Sequence, residues 1–172
     1  MSLPTTPPAP IIVSALLDPE SFAWLDGLRR AHFPAERNHL DAHLTLFHAL
    51  PPSLEPELRR RLASLTRGRP LAAEASGFVG LGRGVAVRIV SPPLVALREE
   101  LAEAFHGVLT PQDAAGWRPH VTVQNKVSPA EARDLLALLS GGFRRRRMEI
   151  VGLAAWWYRG GPWEPLARFP FH

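Results

Sequence analysis

Four landmarks recur in the same order in the two halves of the chain, and this internal repeat limits the fold more than any other feature. They are an apolar strand, a His-x-Thr-x segment, a serine that begins a helix, and a Val-Gly-Leu segment. The pairs are Val13 and Val87, His43-Leu44-Thr45-Leu46 and His120-Val121-Thr122-Val123, Ser53 and Ser128, and Val79-Gly80-Leu81 and Val151-Gly152-Leu153. Their offsets run from 72 to 77 residues. This agreement predicts a duplicated unit of strand, helix, strand, helix and strand, hence two similar lobes around a groove.

Hydrophobic periodicity supports this order of elements. Helices are predicted at 19–32, 54–65, 92–106 and 129–139, where capping residues, early prolines and apolar spacing coincide. Strands are predicted at 11–17, 40–46, 71–79, 85–90, 120–124, 148–153, 155–159 and 166–169. Gly80, Gly82 and Gly84 indicate a hairpin rather than a phosphate-binding loop, because a strand follows them.

Composition excludes several kinds of site. The 172 residues are 46% apolar, which suffices for a core, and include no cysteine. Disulfides, thiolate zinc sites and cysteine nucleophiles are therefore excluded. Because there is no membrane-length apolar run and no signal-peptide pattern, we expect a cytoplasmic protein without membrane contact. Residues 1–10 are expected to be a flexible segment, and residues 11–172 one two-lobed domain.

The basic residues favour contact with phosphate. The formal net charge is +4, from 20 basic and 16 acidic residues, and every basic residue except Lys126 is arginine. Arginine binds phosphate oxygens in a bidentate manner. Genomic compositional bias is the favoured explanation of the arginine content, and so small a charge supports nucleic-acid contact only weakly.

The repeated His-x-Thr-x segments carry the chemistry. If a pseudo-twofold axis relates the lobes, His43 and His120 face each other across the groove. Thr45 and Thr122 accompany them, because residues i and i+2 of a strand share a face. Two histidines on opposite sides of a phosphorus atom can act as base and acid without a metal. The threonine hydroxyls can donate to the non-bridging oxygens.

A metal site is the alternative use of one of these histidines. His39, Asp41 and His43 alternate along a predicted strand and are ligand types for zinc. Three ligands along a strand spread over roughly 13 Å, which disfavours a shared ion. The histidines without a matched partner are predicted to be surface or structural residues: His32, His39, His48, His106 and His172.

The motif pair resembles that of the two-histidine (2H) phosphoesterases. The segments read HLTL at 43–46 and HVTV at 120–123, and Pro119 precedes the second, as is common in that family. The nearest resemblance is to the bacterial 2'-5' RNA ligase and RNA 2',3'-cyclic phosphodiesterase branch. It implies a duplicated α+β fold in which each lobe is an antiparallel sheet with helices packed outside, and a central groove lies between the lobes.

The resemblance also implies an activity and a set of residues. The expected protein is a metal-independent phosphodiesterase acting on 2',3'-cyclic phosphates, or a ligase of 2'-5' links, without a cofactor. His43 and His120 correspond to the acid and base, and Thr45 and Thr122 to phosphate ligands. Lys126 is the candidate auxiliary cation, where many members of the branch have an arginine nearby. RNA ends or small cyclic nucleotides are the expected partners, and the chain is expected to be a monomer.

Two other functions remain open from the sequence. One is a non-catalytic RNA- or nucleotide-binding module with the same fold, because Gln124-Asn125-Lys126 departs from the pattern of the branch. The other is a metal hydrolase that uses His39, Asp41 and His43.

Overall fold

The fold alternates strands and helices in both halves of the chain. A computed structural model describes residues 8–172. Its elements are β1 (Ile11–Leu17), α1 (Pro19–His32), β2 (Leu44–Leu50), α2 (Glu55–Leu65), β3 (Leu71–Gly80), β4 (Val85–Val90), α3 (Pro92–Ala104), α4 (Pro111–Ala114), β5 (His120–Gln124), α5 (Pro129–Ser140), β6 (Arg146–Trp157) and β7 (Glu164–Pro170). Within these residues, no helix has both the length and the apolar content to cross a membrane.

The strand order shows the duplication directly. The order is β2-β1-β6-β3-β4-β5, with β7 paired to β6, and every pairing is antiparallel. Exchanging β1 with β4, β2 with β5 and β3 with β6 leaves this order unchanged. The β3–β6 pair therefore lies on a pseudo-twofold axis, where Ala73 is opposite Met148. One lobe contains β2, β1, β6 and β7 and the other β5, β4 and β3, which confirms the predicted duplicated α+β fold.

The register of the repeat differs from the prediction at two landmarks. Corresponding rows across the sheet are Thr45–Ser14–Ala154 and Thr122–Ala86–Val79. β1 and β4 therefore correspond at 72 residues rather than 74, and β3 and β6 at 75 rather than 72. Two short apolar strands can be aligned in the sequence at several offsets, whereas the backbone pairing in the sheet allows one register. We call the side of the sheet that carries these two rows the groove face.

Local chemistry decides where the elements begin. Asp18, Ser91 and Ser128 each accept a hydrogen bond from a backbone N–H in the first turn of their helices, as predicted. The prediction for Ser53 is wrong. Pro52 opens a 3₁₀ turn that includes Ser53, and Leu54 becomes the N-cap of α2 without a side-chain hydrogen bond.

Three boundaries of strands and termini also differ from expectation. β2 begins at Leu44 rather than at residue 40, and the strands predicted at 148–153 and 155–159 are the single strand β6. Most of the segment predicted to be flexible lies outside the described residues. Its described end belongs to the fold, because Ala9 is buried and the carbonyl of Pro10 accepts a hydrogen bond from the N–H of Tyr158.

Apolar residues beside the two histidines fix both motif segments in the core. Leu44, Leu46, Val121 and Val123 are 0% exposed. They alternate with the two threonines, so burying one face of β2 and β5 directs the other toward the groove. The hairpin from β3 to β4 is also confirmed, and only glycine fits at Gly84, because a Cβ there would overlap the backbone of Gln124.

Candidate active site

The two motif histidines have the same local geometry. His43 directly precedes β2, and its Nδ1–H donates a 2.8 Å hydrogen bond to the carbonyl of Asp41. His120 begins β5, and its Nδ1–H donates a 2.9 Å bond to the carbonyl of Arg118. Because a carbonyl oxygen only accepts, Nδ1 carries the hydrogen in both neutral rings. Each ring therefore presents Nε2, the nitrogen with the lone pair, on its opposite side.

The curvature of the sheet brings the two motif strands together. β2 and β5 lie at opposite ends of the strand order, yet they contact each other. A positive charge on His120 acts on the ring of His43 strongly enough to lower its pKa. Thr45 and Thr122 are half-buried on the groove face. The structure thus brings together the four residues expected from the motifs.

His43 is neutral at neutral pH. Burial lowers the pKa of His43 to about 4, the charges of Arg29, His120 and His48 act in the same direction, and the bond to Asp41 opposes them. Trp163 covers the ring, with the two ring centroids 4.5 Å apart. An unprotonated imidazole with an outward-facing Nε2 can accept a proton.

Arg29 ties the approach to the first motif to the strand of the second. This side chain of α1 is 4% exposed. Its Nε donates to Oδ1 of Asn38 and to the carbonyl of Leu40, at 2.9 and 3.0 Å. Its Nη1 donates to the carbonyl of Thr122 at 3.0 Å. One buried cation therefore fixes the segment before His43 against β5.

A reciprocal set of bonds ties the approach to the second motif to β2. Trp117 donates through Nε1 to the carbonyl of Thr45 at 3.0 Å. Arg98 of α3 donates to the carbonyls of Leu46 and Asp113, at 3.2 and 2.6 Å. The segment that leads to His120 is thus fastened along the open edge of the first motif strand, which orients the histidines relative to each other.

A cavity of about 600 Å³ opens beside His43, and we call it the tryptophan pocket. Trp156 and Trp163 line it, and Nε1 of Trp156 donates to Oγ of Ser14 at 2.9 Å. Arg168 of β7 also lines it. In the described part of the chain, the first half has no strand corresponding to β7, so the pocket breaks the pseudo-symmetry.

The comparison with known families agrees with this geometry. A profile of the 2'-5' RNA ligase superfamily matches residues 17–162, which include both histidine motifs. The chain belongs to the 2'-5' RNA ligase superfamily. No curated protein matches it.

Solved structures share the fold of this superfamily member. TT0787 of Thermus thermophilus is 17% identical, with a TM-score of 0.67, and the match covers 94% of this chain and 97% of that one. E. coli LigT complexed with 3'-AMP is 18% identical, with a TM-score of 0.65 and coverages of 96% and 99%. A further phosphoesterase structure gives 18% identity, a TM-score of 0.63 and coverages of 96% and 99%.

Cations other than Lys126 lie in the strand rows of the motif residues. Lys126 lies beyond the end of β5. The backbone N–H of the residue after it, Val127, donates a hydrogen bond to the carbonyl of Arg83. Lys126 is six residues from His120 in the sequence, and its backbone turns there with a φ of 63°. The role of Lys126 as an auxiliary cation stays a prediction. Arg88 lies directly opposite His120 on β4, and Arg168 lies in the row of Thr45.

The alternative metal site is wrong. In the described part of the chain, which includes His39, Asp41 and His43, no three ligand-type side chains converge on a point that could hold an ion. These residues precede β2 rather than forming a strand, because the side chain of Asp26 accepts the N–H of Ala42 and pulls the segment onto α1. Nδ1 of His43 is already used by the carbonyl of Asp41.

The position of Arg29 in the sequence gave a sign of its role, although hydrophobic periodicity alone did not identify it. Arg29 lies four residues after Leu25, on the buried stripe of α1, where an apolar residue is expected. A charge on such a stripe indicates a buried hydrogen-bonding role. Asp113, in the one-turn helix α4, and Trp117, in the loop after it, carried no comparable signal, because so short a segment has no hydrophobic periodicity.

Proposed function

We propose that the protein is a metal-independent phosphodiesterase that hydrolyses 2',3'-cyclic phosphates of RNA ends or nucleotides, and that it joins or reverses 2'-5' links by the same chemistry. The observation that carries the proposal is the matched orientation of His43 and His120, each with Nδ1 bonded to a carbonyl two residues before it. LigT, which shares the fold, has been crystallised with 3'-AMP and with phosphate. A phosphate in this groove has an imidazole on either side.

The burial of His43, which keeps its ring neutral, supports the role of base for this residue in hydrolysis. Nε2 of His43 takes a proton from the attacking water as the oxygen–phosphorus bond forms. His120, in its protonated form with a hydrogen on both ring nitrogens, gives the Nε2 proton to the ribose oxygen as its bond to phosphorus breaks. Thr45 and Thr122 hold the non-bridging oxygens, where charge develops. Ligation keeps the same roles, with a 5'-hydroxyl in place of the attacking water. Cleavage of a 2'-5' link is the reverse of ligation: the neighbouring ribose hydroxyl attacks, the 5'-oxygen leaves, and the two histidines exchange roles.

The proposal predicts hydrolysis after removal of divalent metals. Chelator-treated protein should convert a nucleoside 2',3'-cyclic phosphate to a single phosphomonoester, because two histidines supply both proton transfers. Chromatography of the product identifies which ribose oxygen leaves. Saturable nucleotide binding without product from any cyclic phosphate or 2'-5' substrate would instead identify a binding module.

The acidic limb of the pH profile should lie unusually low. Because the pKa of His43 is about 4, kcat/KM should not fall between pH 7 and pH 5.5 through loss of the base. A base with an ordinary pKa near 6.5 would lose about tenfold at pH 5.5. Rates from pH 4.5 to 8 test this, and an acidic limb near 6.5 would contradict the role given to His43.

The same shift should appear in stability. Between pH 6.5 and 4 the unfolded chain binds a proton at His43 that the folded chain does not bind, so the free energy of unfolding falls as the pH is lowered through this range. The decline should be smaller in His43→Asn. Denaturant unfolding of both proteins at several pH values measures the difference.

A further inference from the structure

A third imidazole, His48 of β2, is held beside the histidine pair by a buried carboxylate. Its Nδ1 lies 3.2 Å from Oδ1 of Asp113, whose side chain is 0% exposed, whereas 42% of the His48 side chain is exposed. The carboxylate also accepts the backbone N–H groups of His48 and Ala49, at 2.8 and 2.9 Å. One edge of the ring is therefore fixed, and Nε2 is on the other side.

Asp113 is well suited to hold this ring. Burial alone would raise the pKa of Asp113, but the hydrogen bonds from the side chain and backbone of His48 and from the backbone of Ala49 lower it below its usual value. The carboxylate is therefore ionised at neutral pH. When His48 is protonated, Asp113 balances the charge on the inner edge, and Nε2–H remains as a charged donor on the outer edge.

The strand register places His48 on the groove face. Val13 lies opposite Phe47 and Ser14 opposite Thr45, so Leu46 is an extra residue of β2, and a second irregularity leaves both His48 and Ala49 opposite Ile12. Ser14 lies opposite Thr45, and Ile12 and Ser14 share a face of β1. His48 is thus one row beyond Thr45, at a spacing of about 7 Å.

His48 is also electrically close to the reaction centre. A positive charge on His48 contributes to lowering the pKa of His43. His43, just before β2, and His48, within β2, lie on either side of Thr45 along the chain. The spacing of about 7 Å between rows is comparable to that of neighbouring phosphates along a nucleic-acid strand.

We propose that His48, oriented by Asp113, binds a second phosphate of the substrate, one nucleotide along from the phosphate that reacts between His43 and His120. This inference rests on the proposed function and narrows its substrate class to oligonucleotide ends that carry at least one internal phosphodiester. The contact is electrostatic and directional, from Nε2–H to a non-bridging oxygen.

The test compares two substrates that differ by one internal phosphate. They are a nucleoside 2',3'-cyclic phosphate and a dinucleotide that ends in the same group. In His48→Gln, KM for the dinucleotide should rise about fivefold to tenfold, the loss of one charge-assisted hydrogen bond at a partly exposed site. Both constants for the mononucleotide should stay within about twofold. His106→Gln, which changes an exposed histidine, is the matched control.

Two further experiments test the contact. One asks whether it depends on the charge of the phosphate, and the other measures binding without turnover. A dinucleotide with a neutral methylphosphonate linkage should bind wild type and His48→Gln equally. Calorimetry with a nucleoside 3'-phosphate and the corresponding dinucleotide 3'-phosphate measures the contact without catalysis, so an inactive wild type would refute the proposed function and leave this inference testable. Equal effects of His48→Gln on both ligands, or no effect on either, would overturn the inference.

Discussion

Replacing either His43 or His120 by alanine is expected to lower kcat by about 10²-fold to 10⁴-fold, the range for loss of a positioned general acid or base. The two residues act on one phosphate, so the double variant should be little slower than the slower single variant. KM should change less than kcat, because the threonines and the rest of the groove still bind the substrate. Steady-state kinetics on a cyclic phosphate in the presence of chelator gives all of these values.

The controls for this prediction follow from exposure. His120 is exposed, so its replacement should leave the thermal unfolding midpoint nearly unchanged. His43 packs against Trp163, so His43→Asn is the better variant for separating chemistry from packing. His106→Ala, which changes an exposed histidine, should retain wild-type rates. Turnover close to that of wild type in both His43 and His120 variants would eliminate the proposed mechanism.

Arg29→Met should produce the second largest effect, on stability and on rate together. The change removes three hydrogen bonds and takes a charged donor from the carbonyls of Leu40 and Thr122. We expect a loss of about 2–5 kcal/mol in the free energy of unfolding. We also expect kcat to fall by about 10-fold to 100-fold at temperatures where the variant is folded, because the histidines lose their relative placement.

The pKa of His43 distinguishes this positioning role from a merely structural one. The charge of Arg29 lowers the pKa of His43, so Arg29→Met should raise it, measured by NMR titration of the ring. Arg29→Lys restores the charge without the planar fork and should restore the pKa more fully than the rate.

Arg30→Met is the matched control for Arg29. Arg30 is the next residue of the same helix, and its side chain is 72% exposed in its pair with Asp26. Arg30→Met should lower the free energy of unfolding by less than about 1 kcal/mol. An Arg29→Met protein with unchanged kcat and an unchanged His43 pKa would show that Arg29 only supports the fold.

The residues of the two proposed catalytic motifs were predictable because the same pattern occurs twice in the chain. His43 and His120 each precede a threonine by two residues, and strand alternation places both pairs on one face whatever the rest of the fold does. The helix starts at Asp18, Ser91 and Ser128 were predictable for a similar reason, since capping depends on residues within one turn.

The residues that hold the site in place were not predictable, because their partners are distant in sequence. Arg29 bonds to Thr122, 93 residues away, and Trp117 to Thr45, 72 residues away. His48 acquires a role only through Asp113, 65 residues later, and through an extra residue in β2 that changes which way its side chain points.

The sequence by itself determined the duplicated α+β fold and the identity of the four motif residues, since both follow from local periodicity and a repeated pattern. Only the tertiary structure decided the register of the repeat, the tautomer of each histidine, the tryptophan pocket on one side and the buried arginines that join the halves. Periodicity specifies which face of a strand is buried, whereas the partner that satisfies each buried polar group is set by the packing of the whole chain.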